Sequence, residues 1–178
     1  MRDWPGREHV ETLRVWPVLV ETVMRIEVHP HLFVGAFLLG SLSRGEGDAI
    51  SDVDLVAVTE RGRWDAAWQS RELLSSGALV RFDRVEGGVG GHSWLTPELI
   101  KVECLIAARG GALRLRGDVV VLVGDESLPE DFERTAPLTR EAVDAYAADL
   151  RARGEISDVE AAYGDLIALL RRELRGPS

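Results

Sequence analysis

Two aspartates one residue apart, Asp52 and Asp54, stand at the mouth of an apolar stretch running from Val53 to Val58. On a strand, side chains two apart project from the same face, so both carboxylates point the same way. Two such acids repel each other unless a hard cation lies between them. Mg²⁺ is the natural choice, because it is commonly held by a pair of carboxylates together with substrate phosphates. Upstream lies Gly40-Ser41, directly after the apolar run Leu32–Leu39. Gly40 lets the chain turn tightly and brings backbone N–H groups close to a ligand. Ser41 adds a hydroxyl donor at the expected start of a short helix, where phosphate is favoured. Between the two features stand Arg44, placed either to reach a triphosphate or to remain a solvated loop arginine, and Glu46 and Asp48, which read as loop acids. Each piece alone has a plainer reading, since D-x-D occurs in solvated turns and Gly-Ser in ordinary loops. The joint order distinguishes the segment: apolar run, Gly-Ser, Gly45, Ser51-Asp52-Val53-Asp54-Leu55, then a second apolar run.

These residues need rigid elements to hold them. Asp3-Trp4-Pro5 is a helix start, and Val10, Leu13, Trp16, Val20 and Val23 repeat at helical spacing, predicting one helix to about His29. The continuous apolar run Leu32–Leu39 predicts a strand buried on both faces. Val53–Val58 is a second strand, Trp64–Leu74 a helix with Trp64 and Trp68 on one face, and Ala78–Val85 and Leu99–Ala107 are further strands. A Gly-rich linker and Thr96-Pro97 separate the last two, and Val119–Val123 is a short fifth strand. In the linker, His92 and Trp94 either line a substrate pocket or belong to a hairpin tip with the tryptophan folded onto the core. Beyond residue 138, Thr139 caps a helix carrying Val143, Tyr146 and Leu150. Ser157 and Glu160 then form a capping box ahead of Val159, Tyr163, Leu166 and Leu170. This predicts a C-terminal helical hairpin over 136–178, packed on an α/β domain spanning 1–135.

Residues 40–55, gap lengths included, resemble the signature of the DNA polymerase β-like nucleotidyltransferase superfamily. That group includes aminoglycoside and lincosamide nucleotidyltransferases and the minimal nucleotidyltransferases. The resemblance implies an α/β (α+β) fold, with a mixed β-sheet flanked by helices. It implies that Gly40 and Ser41 hold the β- and γ-phosphates of an NTP, with ATP expected, and that Asp52 and Asp54 hold two Mg²⁺ ions. The implied chemistry is in-line attack of a substrate hydroxyl on the α-phosphorus with release of pyrophosphate, a reaction suited to two metals. Active members also carry a third carboxylate on a later strand, which completes the metal site or deprotonates the hydroxyl. Two residues qualify. Glu103 interrupts an otherwise apolar strand, where an acid is costly unless compensated. Asp83 lies between Arg81 and Arg84, where a salt bridge is an easy alternative. Glu103 is the preferred candidate, because desolvated carboxylates more often carry function. Lys101, on the same face two residues before it, either neutralises Glu103 or contacts phosphate.

The 178 residues suffice for a core without staples, and 46% are apolar. A net charge of −9 argues against a general nucleic-acid binder and suits a cationic acceptor such as an aminoglycoside-like molecule. The single cysteine, Cys104, has no disulfide partner and reads as a buried strand residue. No apolar run reaches membrane-spanning length, and no basic segment leads into an apolar leader core, so the expected location is cytoplasmic. The expected function is therefore nucleotidyl transfer to a small hydroxyl-bearing acceptor. The competing reading is an antitoxin-type nucleotidyltransferase that acts with a small helical protein, and a homodimer is compatible with either.

Overall fold

The computed structural model describes residues 2–135, which belong to one compact unit, Met1–Pro137. The hairpin expected over 136–178 lies outside the described residues. The unit is α+β. In chain order it comprises α1 (Arg7–Glu11), α2 (Trp16–Glu27), β1 (Gly35–Leu38), α3 (Gly40–Ser43), β2 (Val53–Thr59), α4 (Trp64–Gln69), β3 (Val80–Glu86), β4 (Val89–Leu95), β5 (Lys101–Ala108), β6 (Arg114–Arg116), β7 (Val120–Val123) and β8 (Glu133–Thr135). Six strands form a mixed sheet in the order β3-β4-β5-β2-β1-β7, and β6 pairs with β8 in a separate two-stranded sheet. Within the large sheet only β2 and β5 run parallel.

Each face of the large sheet packs a different layer. On one side Leu55, Ala57, Val102, Cys104, Ile106 and Leu38 meet Leu19, Val23 and Ile26 of α2. On the other, Phe37, Val56, Val58 and Ala107 meet Leu113, Leu115, Leu128 and Phe132 from the small sheet and its connections. This second layer covers only part of its face. Among the described residues nothing of this layer covers the part near the start of β2 and β5, and the candidate site lies there.

Three elements differ from the expectations. The single helix over the first 29 residues is two helices, because Pro17 has no N–H and its ring would strike the carbonyl of Leu13 in a continuous helix. It is tolerated here because it sits in the first turn of α2. The strand expected from Leu32 begins only at Gly35; Leu32 and Phe33 are buried in a turn, both donating their N–H to the His29 carbonyl. The Gly-rich linker is strand β4. Gly87 and Gly88, at φ 56° and 81°, form a two-residue hairpin turn between Glu86 and Val89, a turn that demands positive φ at both positions. Gly90 and Gly91 then leave room for the Trp68 ring and the Arg84 side chain. Trp64 and Trp68 do share one helix face, stacked at 5.7 Å.

Candidate active site

The Gly-Ser turn is tied directly to the acidic strand. Gly40 follows β1 with φ +71°, and a Cβ there would lie 2.6 Å from Asp54 Oδ2. The neighbouring Leu39 N–H donates to the Asp54 carbonyl at 2.9 Å. The turn is braced from inside by Ser43 Oγ, which donates to the carbonyls of Gly40 (2.9 Å) and Asp118 (3.1 Å). Ser41 Oγ lies 3.4 Å from Ser51 Oγ, so the two ends of the loop meet. Arg44 is drawn inward: Nη1 donates to the Gly40 carbonyl at 2.9 Å and Nε to Glu46 at 2.7 Å. In the structure it therefore braces the loop.

The amino-terminal segment supports the same loop from outside. Gly6 and Gly45 pack backbone to backbone, so neither position has space for a side chain. His9 Nε2 is 2.7 Å from the Gly47 carbonyl, and Trp4 Nε1 donates to the Leu42 carbonyl at 3.3 Å. None of these contacts was expected from sequence; a left-handed glycine in each of two distant segments is the only trace they leave there.

Parallel pairing of β2 with β5 places Asp54 level with Glu103 and Val53 level with Val102. Asp54 and Glu103 thus share the open face of the sheet. Asp52, two residues before Asp54, belongs to the same face. Lys101, the only lysine in the chain, bridges the acids, with Nζ 3.2 Å from Asp52 Oδ2 and 3.7 Å from Glu103 Oε2. The other Glu103 oxygen accepts from Arg84 Nη2 at 2.6 Å. Burial raises the Asp54 carboxyl above its ordinary range; Lys101 opposes the rise, and Asp52 and Glu103 add to it. Desolvation works against the Lys101 ammonium, but Asp52, Glu103 and Asp54 more than offset it and leave its pKa raised. Beside these groups is an open depression of about 320 Å³, lined among others by Phe82, Arg84, Gly91, Ser93, Lys101 and Glu103. Phe82, Arg84 and Ser93 were not anticipated. They reach this face through the register of β3 and β4, in which Phe82 pairs with Ser93 and Ser93 with Glu103.

Asp83 is carried to the opposite face. It pairs across the sheet with His92, which in turn pairs with Cys104. Its carboxylate accepts from Arg71 at 2.8 Å and from His92 Nδ1 at 2.6 Å; first Arg71 and then His92 hold its pKa below the ordinary range. The pocket-lining reading of His92 and Trp94 is likewise corrected, since both are buried against the helical layer, at 0% and 3% exposure. With Nδ1–H committed to Asp83, His92 Nε2 accepts from Ser75 Oγ–H at 2.8 Å, and Ser75 Oγ accepts from Arg81 Nε at 2.8 Å. Burial lowers the His92 pKa despite Asp83, which favours the neutral ring. The Ser75–His92–Asp83 order is that of a charge-relay triad, but Ser75 has no solvent exposure and its oxygen is capped by Arg81. The network joins the edge strand to the body of the sheet. Cys104 is buried, its thiol pushed up to about 12, as a strand core residue.

Among the described residues no set of three His, Cys, Asp or Glu side chains is grouped so as to hold a metal ion. The hard oxygens of Asp52 and Asp54 suit Mg²⁺, and burial, helped by the neighbouring Asp52 and Glu103, keeps the Asp54 pKa raised. The pairing of Glu103 with Arg84, whose side chain is 69% exposed, is weak at about 0–1 kcal/mol and easily exchanged. No helix among the described residues is long and apolar enough to cross a membrane. Compared with protein-family models and with curated proteins, the chain matches none.

Proposed function

We propose that the chain is a nucleotidyltransferase of the DNA polymerase β-like type, moving a nucleoside monophosphate from an NTP, with ATP expected, to a hydroxyl of a small acceptor. The observation that carries this reading is the juxtaposition at the start of β2. A glycine turn with no room for a side chain abuts Asp54, and the parallel register sets Glu103 level with that same residue. A glycine turn, an aspartate on β2 with another just before the strand, and an adjacent carboxylate on β5 are the parts such a reaction needs, and they come from three separate segments.

Asp52 and Asp54 would hold Mg²⁺, which supplies charge neutralisation for the attacking and leaving oxygens. Gly40 and Ser41 offer N–H and hydroxyl donors to the triphosphate. Glu103, released from Arg84, accepts the proton of the acceptor hydroxyl as its oxygen bonds to the α-phosphorus. The bond from that phosphorus to pyrophosphate breaks in the same displacement. Lys101, whose ammonium now lies 3.2 Å from Asp52, would offer that contact to a phosphate oxygen. The depression lined by Phe82 and Ser93, beside Glu103, is the place for the acceptor.

The test is release of pyrophosphate from Mg·ATP across a panel of aminoglycosides and other polyols, with labelled acceptor identified by mass. Asp52→Asn and Asp54→Asn should each abolish it. Failure of Mg·ATP to bind the wild-type chain at all, or full activity in Asp54→Asn, would sink the reading.

A further inference from the structure

Four of the eight exposed large apolar side chains among the described residues fall within seven positions: Leu79 (57% exposed), Val80 (43%), Phe82 (66%) and Val85 (55%). All belong to β3 or immediately precede it. Among the described residues β3 is an unpaired edge of the six-stranded sheet, and every one of its seven residues is exposed. A long edge strand presents a row of unpaired N–H and C=O groups, which proteins usually blunt with lysine, proline, a bulge or brevity. The opposite edge, β7, is short, with four residues. β3 is long, its pairing to β4 is continuous from Val80 to Glu86, and it has neither bulge nor proline; its charges, Arg81, Asp83, Arg84 and Glu86, are of both signs and can pair with a complementary copy.

We propose that β3 is a homodimer interface, adding antiparallel to β3 of a second copy about a two-fold axis at Phe82. Such an axis, normal to the sheet, puts one residue opposite its own copy, and this restricts the choices. Centred on Asp83, it would set two carboxylates face to face; centred on Arg81 or Arg84, two guanidiniums. Like charges directly opposed are destabilising. Centred on Phe82, it brings the two phenyl rings together, sets Arg81 opposite Asp83 twice, and sets Leu79 opposite Val85 twice. Three of the four exposed apolar side chains thereby gain an apolar neighbour, and no like charges meet. The charged pair is already rigid, with Arg81 fixed to Ser75 and Asp83 to Arg71 and His92, so little side-chain freedom is lost on pairing. An isologous contact of this kind closes at two copies. Because the axis is normal to the sheet, both Asp54–Glu103 faces lie on the same side of one continuous twelve-stranded sheet. Phe82 of each copy then stands at the rim of the other's depression. The inference rests on the edge strand alone and holds whatever reaction Asp54 supports.

The test uses the full chain. Sedimentation equilibrium at micromolar and higher concentrations should show a dimer, and Phe82→Arg, placing two cations on the axis at a solvent-exposed position, should sediment as a monomer with an unchanged circular-dichroism spectrum, its melting temperature no longer rising with protein concentration. Under oxidation Phe82→Cys should cross-link to a dimer. Leu79→Cys and Val85→Cys should each fail to cross-link alone, whereas the double variant should do so. Cys104 is buried and takes no part. A wild-type monomer, a dimer that survives Phe82→Arg, or cross-linking of Val85→Cys by itself would overturn the proposal.

Discussion

Replacing Gly40 by alanine separates two costs that meet at this position. Its φ of +71° is one that an L-residue adopts at a cost of about 1–2 kcal/mol. The new Cβ would also lie 2.6 Å from Asp54 Oδ2, inside contact distance. Asp54 cannot simply retreat, because its carbonyl is held by Leu39 N–H. Either the carboxylate rotates or the start of β2 shifts. Gly62 provides the control: its φ is +81° and a Cβ there meets nothing within 4 Å. Gly62→Ala should therefore lose only the backbone cost, about 2–8 °C in melting temperature for a chain of this size. Gly40→Ala should lose more, by the further ~1–3 kcal/mol of overpacking. The functional contrast is sharper. Displacing Asp54 by about an ångström should reduce the single-turnover rate by roughly 10²-fold, with Gly62→Ala unaffected. Thermal and urea denaturation measure the stability losses and quenched-flow pyrophosphate release the rates. If the two variants are indistinguishable in both, Gly40 is an ordinary turn glycine and the argument from its contact with Asp54 fails.

Glu103→Gln should slow transfer by about 10²–10⁴-fold while ATP affinity, read by calorimetry, is retained. Asp83→Asn should leave chemistry untouched but cost about 1–3 kcal/mol in denaturant unfolding, because it weakens charge-assisted bonds to Arg71 and the buried His92. Asp54 has a raised pKa, so its contribution favours the fold below the ordinary value of 3.8 and is lost as pH rises through the raised one. Asp54→Asn should accordingly be as stable as wild type or slightly more so at neutral pH without metal, and a collapse on circular dichroism would mark Asp54 as structural. His92 runs the other way. Its pKa is lowered, so the unfolded chain takes up a proton first and stability falls as pH drops below the ordinary 6.5 toward the lowered value; thermal melts between pH 7.5 and pH 5.5 should show this slope, and His92→Asn should flatten it.

What the sequence made legible was local chemistry. The segment 40–55 combines residue types whose roles depend on near neighbours, and the turn, the short helix and the strand all form where those types require them. The apolar runs of β2 and β5 were equally plain. The break before α2 was visible in Pro17 and was outweighed by a helical spacing that ran through it. Strand β4 was hidden for a different reason: Gly90 and Gly91 are small because of Trp68 and Arg84, residues that no local pattern connects to them. The apolar surroundings of Glu103 favoured it over Asp83 in sequence, but local surroundings do not fix the geometry. It depends on which face each side chain takes, and that parity is set by the pairing of three strands.

The sole parallel pair in the large sheet also orders events in time. Lys101 and Asp52 are 49 positions apart in the chain, and the whole β3–β4 hairpin lies between their strands. The hairpin is closed by a two-residue turn and can zip on its own, and β5 can extend it by antiparallel addition. Joining β5 to β2 requires closing the long loop, the slow kind of step in a nascent chain. A molecule refolding from denaturant would therefore regain most of its strand signal before Glu103 stands beside Asp54. The carboxylate centre is then among the last features to form, and it exists only once β2 and β5 have paired.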